Sequence, residues 1–320
     1  MPLKKTTFFL RAAPAVLLFA ALCIRAGTAI AQDPATVDNI VSKIKDQNAV
    51  TNIYCLQGAV WVCTEGGVLK YDGAVTVYRA KDGLADDLVT SMTEDDSGRL
   101  WFGTQNGVSV FDGTWKTYRA KDGLPSDMIY DVAAGPEGSI WVGTHSGLGM
   151  FDGRRWAKLG FGQDMIVPIV NRIVKNPAGN LWIGTYDMGI GVIEGTQLTI
   201  IDKTDGLPSN LVSAVAFDKD GNTWVGTARG LSLLSGGKVK KTFTVKNGLI
   251  SNEITSIAVD KAGSVWVGFW GGGVGIYDGK QWRFLNTQTG IIDDRVTAIA
   301  VDPAGTVWIG CWGGISKVMP

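Results

Sequence analysis

The sequence predicts an all-β fold, a seven-bladed β-propeller with four antiparallel strands per blade, and three observations carry that reading. A strand-like segment around a Trp recurs at Trp61, Trp101, Trp141, Trp182, Trp224, Trp266 and Trp308, at intervals of 40 to 42 residues. Asp-Gly turn signals recur along these intervals. Gly reaches 43 against only 10 Pro in 320 residues, and 45% apolar with 19% charged residues excludes disorder and coiled coil. Four short strands in about 40 residues is the period of a propeller blade, and a closed ring of blades leaves no exposed sheet edge. Helical repeats have similar periods, but the Gly and Thr density argues against them.

The first element is an export signal. Met1 to Arg11 is basic, Ala12 to Ile24 is apolar, and Ala29-Ile30-Ala31 puts small residues at −3 and −1 of a cleavage site. Residues 1–31 therefore read as a secretory signal peptide and 32–320 as the propeller. The apolar run is too short to span about 30 Å of hydrocarbon, and Arg25 interrupts it, which argues against an anchor. Ala20-Ala21-Leu22-Cys23 has Leu where a lipoprotein signal needs a small residue. The expected location is periplasmic or secreted, without membrane insertion after cleavage. Basic and acidic residues balance at 30 each, but Lys4, Lys5, Arg11 and Arg25 all precede Gln32, which leaves 26 against 30, a net charge of −4. A mildly acidic chain without Lys/Arg runs lacks the footprint of a nucleic-acid or anionic-membrane binder.

The second repeat shows the unit. A strand over Val89 to Thr93 enters Asp95-Asp96-Ser97-Gly98, where Asp at i and Gly at i+3 suit a type I turn, as at Asp218 to Gly221, Asp260 to Gly263 and Asp302 to Gly305. Leu100 to Thr104 forms the second strand, and Gly107 opens a third that ends at Phe111-Asp112-Gly113, a hairpin signal. Trp115 to Arg119 is the fourth, and Asp122-Gly123-Leu124-Pro125-Ser126 connects to the next unit. First strands such as Thr297-Ala298-Ile299-Ala300 are built from small and β-branched residues, which fits crowding around a narrow axis.

The last repeat ends twelve residues after Trp308, with room for three strands. The spacing of the other units places Val37 to Ser42 as the missing outer strand, so that an N-terminal strand closes the ring. Val37, Ile40, Val41 and Ile44 also fit an amphipathic helix. Cys55, Cys63 and Cys311 are an odd number for a compartment where disulfides persist, so at least one thiol is free. They read either as three small buried hydrophobes or as a Cys63–Cys311 pair with Cys55 free.

Leu100-Trp101-Phe102-Gly103-Thr104-Gln105-Asn106-Gly107 and Asp122-Gly123-Leu124-Pro125-Ser126-Asp127 together resemble the two-component regulator propeller repeat. Leu181-Trp182-Ile183-Gly184-Thr185 and Asp205-Gly206-Leu207-Pro208-Ser209-Asn210 repeat it nearly verbatim. The resemblance covers residues 32–320 and implies an extracytoplasmic ligand-sensing propeller, with carbohydrate the best-known ligand class. Such propellers often precede a membrane-spanning helix and a histidine kinase. This sequence shows neither, so a signal would pass through a separate partner, a membrane sensor or another envelope protein. The Gly-His and Trp-Asp pairing of WD repeats and the Asp-x-Gly spacing of sialidase Asp boxes are absent.

Ten of the 12 Trp are explained by packing: the seven above, with Trp115, Trp156 and Trp282 opening fourth strands. Burying about 150 to 250 Å² of aromatic surface is worth at most roughly 4 to 6 kcal/mol each. Trp270 and Trp312 are left over, in the loop between second and third strands. That loop shares a face with the Asp-Gly-Leu-Pro-Ser connectors, the usual ligand face. Corresponding positions hold Glu65, Gln105, His145, Tyr186 and Arg229, and repeats four and six carry one extra residue there.

The expected ligand site is therefore Trp270, Trp312 and Tyr186 for stacking, Arg229 and His145 for polar or ionic contacts, and Asp187, Asn106 and Gln105 for hydrogen bonds. Packing over the channel mouth and a protein interface are the other readings of the two Trp. Propeller lyases acting on streptogramin antibiotics resemble this fold and use His with a divalent metal, and His145 is the sole His here. Enzymatic lyase or hydrolase action at the channel mouth and an envelope scaffold are thus the alternatives to a non-enzymatic binder. Asp86, Asp87, Asp127, Asp164, Asp293 and Asp294 read as Asx-turn residues before acid–base pairs. No metal site and no cofactor is expected. The third repeat exits through Gly160-Phe161-Gly162-Gln163-Asp164-Met165 and loses the connector pattern, either for function or by drift.

Overall fold

Seven four-stranded antiparallel sheets follow one another along the chain, one per Trp repeat. They are seen in a computed structural model that describes residues 37–39, 49–160, 169–195 and 197–319. The expected signal peptide at 1–31, with Cys23, and the departures Phe161 to Met165, with Asp164, lie outside the described residues. Blade I spans 50–78, and blade II consists of Val89–Glu94, Leu100–Thr104, Gly107–Phe111 and Trp115–Tyr118. First strands of the later blades are Ile129–Ala134, Val170–Lys175, Val212–Phe217, Ile254–Val259 and Val296–Val301, opening blades III to VII. Helical structure among the described residues is confined to single 3-10 turns. Val37–Asn39 is extended and runs antiparallel to Gly314–Val318, with Val37 opposite Val318 and Asn39 opposite Ser316. Residues 40–42, the rest of the expected outer strand, lie outside the described residues.

The type I turn and the Trp form one device. Asp95 accepts the Ser97 and Arg99 N–H groups through Oδ1, and its Oδ2 accepts the Trp101 indole N–H at 2.7 Å. Asp218, Asp260 and Asp302 do the same for Trp224, Trp266 and Trp308 at 3.1, 2.9 and 3.1 Å. Burial alone would raise the Asp95 carboxyl. Hydrogen bonds from Trp101, Arg99 and Ser97 outweigh it and hold the group below its ordinary range. In blade III the Ser139 hydroxyl accepts from Trp141. All seven second-strand Trp are buried. Trp101 illustrates their role, stacking on Tyr118 of its own blade and meeting Trp156 of blade III edge-on at 6.2 Å.

Each of the seven first strands carries a β-bulge after its first residue. The bulge re-aims the second side chain toward the next blade. Thr90 Oγ1 thus donates to the Ile129 carbonyl of blade III, and Ser213 Oγ donates to the Ile254 carbonyl of blade VI. Thr51 Oγ1 does the same to Val89. Gly103 lets blade II approach its neighbour, since a Cβ there would lie 2.8 Å from the Ile129 side chain. Cys63 occupies the equivalent position in blade I, whereas Cys311 stands where other blades have Thr104 or Thr144. Both thiols are buried and free, and Cys55 is free as well, so the Cys63–Cys311 pairing is not formed. Their sequence positions after Trp are alike, but in the sheets they substitute for two different small residues.

Candidate functional site

The connectors are positioned by an apolar plug and a polar clasp. Leu84, Leu124, Leu207, Leu249 and Ile291 from the connector motif are buried. Asp87 accepts the Ala80 N–H, Asp127 that of Ala120, and Asp294 that of Thr287, which closes each connector on itself. Asp86 accepts the Leu88 N–H and Asp293 that of Arg295. The described carboxylates singled out in the sequence thus all hold loop backbone, Asp86 and Asp293 as Asx-turns, and Asp87, Asp127 and Asp294 by a longer clasp to the residue seven positions earlier.

Each second-to-third-strand loop is clamped against these connectors. Its first N–H donates to the residue before or at the start of the first strand, as in Gln105 to Leu88, His145 to Met128, Tyr186 to Ile169, Trp270 to Glu253 and Trp312 to Arg295. The glycine that opens the third strand reaches the next connector, Gly107 donating to Asp127 and Gly273 to Asp294. At Gly107 φ is +112°, and a Cβ would lie 2.4 Å from the Tyr118 carbonyl oxygen. Loops and connectors therefore share one face. In blade V the residue in register with Trp270 is Ala228, which donates to Leu211. Arg229 sits one place later, its N–H on Thr227 Oγ1, which corrects the sequence alignment of Arg229 with Gln105 and His145. The four-residue interval from the second-strand Trp, shared by Glu65, Gln105, His145, Tyr186, Trp270 and Trp312, gives Ala228 at this place in the sequence as well.

Blades II to V also latch this loop with a Thr hydroxyl that donates to the opening glycine's carbonyl, as in Thr104 to Gly107 and Thr185 to Gly189. Blade I has the same latch through Thr64. Blades VI and VII have Phe269 and Cys311 at that position. These are the blades with the spare Trp. Trp270 and Trp312 are 40% and 43% exposed, and their rings meet edge to face at 5.7 Å and 90°. Arg295 bridges them, pairing in isolated β fashion with Trp270 and lying 5.5 Å over the Trp312 ring. Asp293 fixes the guanidinium with contacts of 3.0 and 2.6 Å, and these bonds lower the Asp293 carboxyl and raise Arg295. Arg295 escaped the sequence reading because it belongs to a connector, where no spacing marks it.

Tyr186 is 54% exposed on blade IV, and Asp187, Arg229, His145, Asn106 and Gln105 are exposed on the same face. Among the described residues no hydrogen bond, ion pair or ring contact joins these six to the Trp pair. His145 instead meets the Tyr130 hydroxyl at 3.4 Å through Nδ1. No group of three or more His, Cys, Asp or Glu among the described residues is placed to hold a metal.

A second feature lies on the axis and was not anticipated from the sequence. A cavity of about 480 Å³ is walled by the first strands of all seven blades. Its lining starts after the bulges and includes Leu56, Glu94, Ala134 and Lys175, the last residues of their strands. It therefore faces the turns between first and second strands, opposite the Trp pair. Asp131 and Arg172 sit in its wall on adjacent blades, and Tyr54 lines it from blade I. Asp131 Oδ2 accepts the Ile173 N–H at 2.7 Å and Oδ1 accepts that of Val132. Burial raises the Asp131 carboxyl despite Arg172, and burial with the Asp131 charge keeps the Tyr54 phenol well above its ordinary value.

Comparison with known proteins bears on the fold and the repeats. Among curated proteins none matches the sequence. The structure is similar to the extracellular domain of the hybrid two component system BT3049 from B. thetaiotaomicron, with 22% identity, 89% of this chain and 41% of that chain covered, and a TM-score of 0.77. A streptogramin B lyase matches with 16% identity over 88% of this chain and 96% of that chain, at a TM-score of 0.73. PorZ, a surface component of the type-IX secretion system of Porphyromonas gingivalis, matches with 15% identity over 85% of this chain and 46% of that one, at 0.68. Identities this low establish the propeller alone. The chain spans about two fifths of the BT3049 domain's length. Residues 83–106, 123–146, 206–229, 248–271 and 290–313 match the family model described as two component regulator propeller. Each match runs from a connector glycine to the second-to-third-strand loop, the two parts that build the face described above, and so five segments of the chain match the two component regulator propeller repeat.

Proposed function

We propose that this chain is an exported, non-enzymatic sensing propeller that binds a saccharide or similar polar ligand at the Trp270–Trp312 rim and relays occupancy through a separate partner. The observation that carries the reading is the half-exposed indole pair joined by Arg295. Two indoles at right angles offer one ring face and one ring edge to an apolar sugar surface, while the Arg295 guanidinium retains donors for ring hydroxyls or acidic groups. Tyr186 and Asp187 on blade IV, Arg229 on blade V, His145 on blade III and Asn106 and Gln105 on blade II extend the contact surface for a larger ligand. The extracellular domain of BT3049 supports a sensing role, and the basic and apolar N-terminal segment supports export. Among the described residues the one hydrogen-bond contact of the His145 ring is with the Tyr130 hydroxyl, which favours binding over the lyase alternative.

The test is calorimetry and thermal shift of residues 32–320 with a panel of neutral and acidic oligosaccharides, repeated with Trp270→Ala and Trp312→Ala. Binding should weaken at least about tenfold, an amount equal to about 1.4 kcal/mol, with the melting temperature nearly unchanged. If either variant loses about 3 to 5 kcal/mol of stability, as buried Trp truncations do, the ring belongs to the core and the reading fails.

A further inference from the structure

The channel departs from its own repeat in a directed way. The residue after each bulge is Asn52, Ser91, Asp131, Arg172, Ala214, Ser256 and Ala298 in blades I to VII. Two places further along, opposite the second-strand Trp, stand Tyr54, Thr93, Ala133, Val174, Ala216, Ala258 and Ala300. Blades V to VII thus present Ala and Ser at both levels, and the large and charged groups stand on blades I, III and IV. On blades V to VII the cavity is lined by the uncharged side chains of Ala214, Val215, Ser256, Ile257 and Ile299, and its volume of about 480 Å³ is within the range of small-molecule sites, roughly 300 to 1,000 Å³.

The charged wall is incompletely paired. Arg172 Nε donates to the Ser213 carbonyl at 3.4 Å, and Nη1 lies 3.9 Å from Asp131 Oδ2, too far for a hydrogen bond. Asp131 is already held by the Val132 and Ile173 N–H groups. Among the described residues no acceptor lies within hydrogen-bond distance of the guanidinium's terminal nitrogens, and the side chain is 24% exposed. A carboxylate in the cavity would give these terminal nitrogens a bidentate partner, the geometry a guanidinium fork matches best. Tyr54, kept protonated by burial and by Asp131, adds a hydroxyl donor in the same lining. Asp131 and Glu94 balance Arg172 and Lys175 in the lining, so the cavity has no excess charge and suits a ligand with one carboxylate and further polar groups over a polyanion.

We propose that the axial cavity is a second binding site, for a small hydroxy- or amino-substituted carboxylate, whose carboxyl group pairs with Arg172 beside Tyr54 while its body rests on the Ala214 wall. The ligand enters from the face opposite the Trp pair, past Glu94 and Lys175. The site stands independently of the rim reading.

The experiment is calorimetric titration of residues 32–320 with lactate, gluconate and glycine at constant ionic strength in chloride. At least one probe binds saturably with one-to-one stoichiometry. Arg172→Gln weakens it at least tenfold, Tyr54→Phe weakens it several-fold with the fold intact by circular dichroism, and Ala214→Leu blocks it by filling the wall beside Arg172. Trp270→Ala leaves it unchanged, which separates this site from the rim. Absence of saturable binding for all three probes overturns the proposal. So does binding that survives both Tyr54→Phe and Ala214→Leu, even if Arg172→Gln does not fold.

Discussion

Replacing Asp95 tests the physical basis of the repeat directly. Its carboxylate accepts four hydrogen bonds: two from the turn backbone, one from Arg99 Nε at 2.7 Å and one from the Trp101 indole at 2.7 Å. Trp101 is fully buried, so Asp95→Ala strands an indole N–H, at a cost of about 1 to 3 kcal/mol. The turn N–H groups and Arg99 are able to turn to water, adding about 1 kcal/mol between them. Asp95→Ala should therefore destabilise by about 2 to 4 kcal/mol, or roughly 4 to 8 °C at about 2 °C per kcal/mol for a large domain. Asp95→Asn keeps one acceptor oxygen and should lose about half as much. The carboxyl sits below its ordinary range in the folded state, so its contribution is complete above the unfolded value of about 3.9 and is lost as pH falls through the lower folded value. Urea unfolding at a series of pH values should show the gap between the parent and Asp95→Ala constant from pH 7 to about 5 and closing below about 4. A loss under about 0.5 kcal/mol at pH 7, or a gap that widens on acidification, refutes the reasoning.

Two further outcomes are expected. Removing residues 32–42 should lower the melting temperature by several degrees and promote association through the uncovered Gly314–Val318 edge, which tests the proposed closure of the ring by the Val37–Asn39 pairing. An unchanged melt with a monomeric elution profile refutes that closure. Burial pushes Cys55 up to about 11 and Cys311 up to about 12, with Cys63 higher still. In the chain after residue 31, a thiol reagent at pH 8 should react slowly in buffer and with three thiols in urea without reductant. A count of one in urea means that a disulfide has formed.

The parts of the fold legible in the sequence are those where one residue type answers to one physical need. Gly107 is required by backbone geometry, Leu124 by burial, and Trp101 by packing, so their spacing exposes the blade. The Asp95-to-Trp101 interval was legible only as a turn, because a side chain's second role leaves no separate mark; the same six-residue interval at Asp218, Asp260 and Asp302 is its trace. The exposed position of Trp270 and Trp312 follows from their surplus to the packing pattern. Their contact with Arg295 does not, because it joins two blades and a connector across more than 20 residues. The channel was hidden for a related reason. Its lining collects one to four residues from each of the seven first strands, and the seven bulges interrupt the alternation along those strands. Alternation counted from the strand start assigns those side chains to the wrong side.

Repetition and departure have separate physical roles here. The Thr latch, as in Thr104, ties a loop to itself and leaves its neighbours out of the bond. Where Phe269 and Cys311 replace it, the loops of blades VI and VII are held by Trp270, Arg295 and Asp293, which belong to each other's surroundings. A ligand that engages the Arg295 guanidinium therefore acts on the group that joins the two blades, and any preference it has for one arrangement of that group shifts both loops together. In the channel, Asp131 of blade III accepts the Ile173 N–H of blade IV, and Arg172 of blade IV donates to the Ser213 carbonyl of blade V, so three successive blades are joined. Each departure from the repeat thus couples neighbouring blades by polar contacts, at opposite ends of one axis. Under the proposed sensing role, a ligand that shifts Arg295 would act on blades VI and VII together, and one that shifts Arg172 would act on blades IV and V.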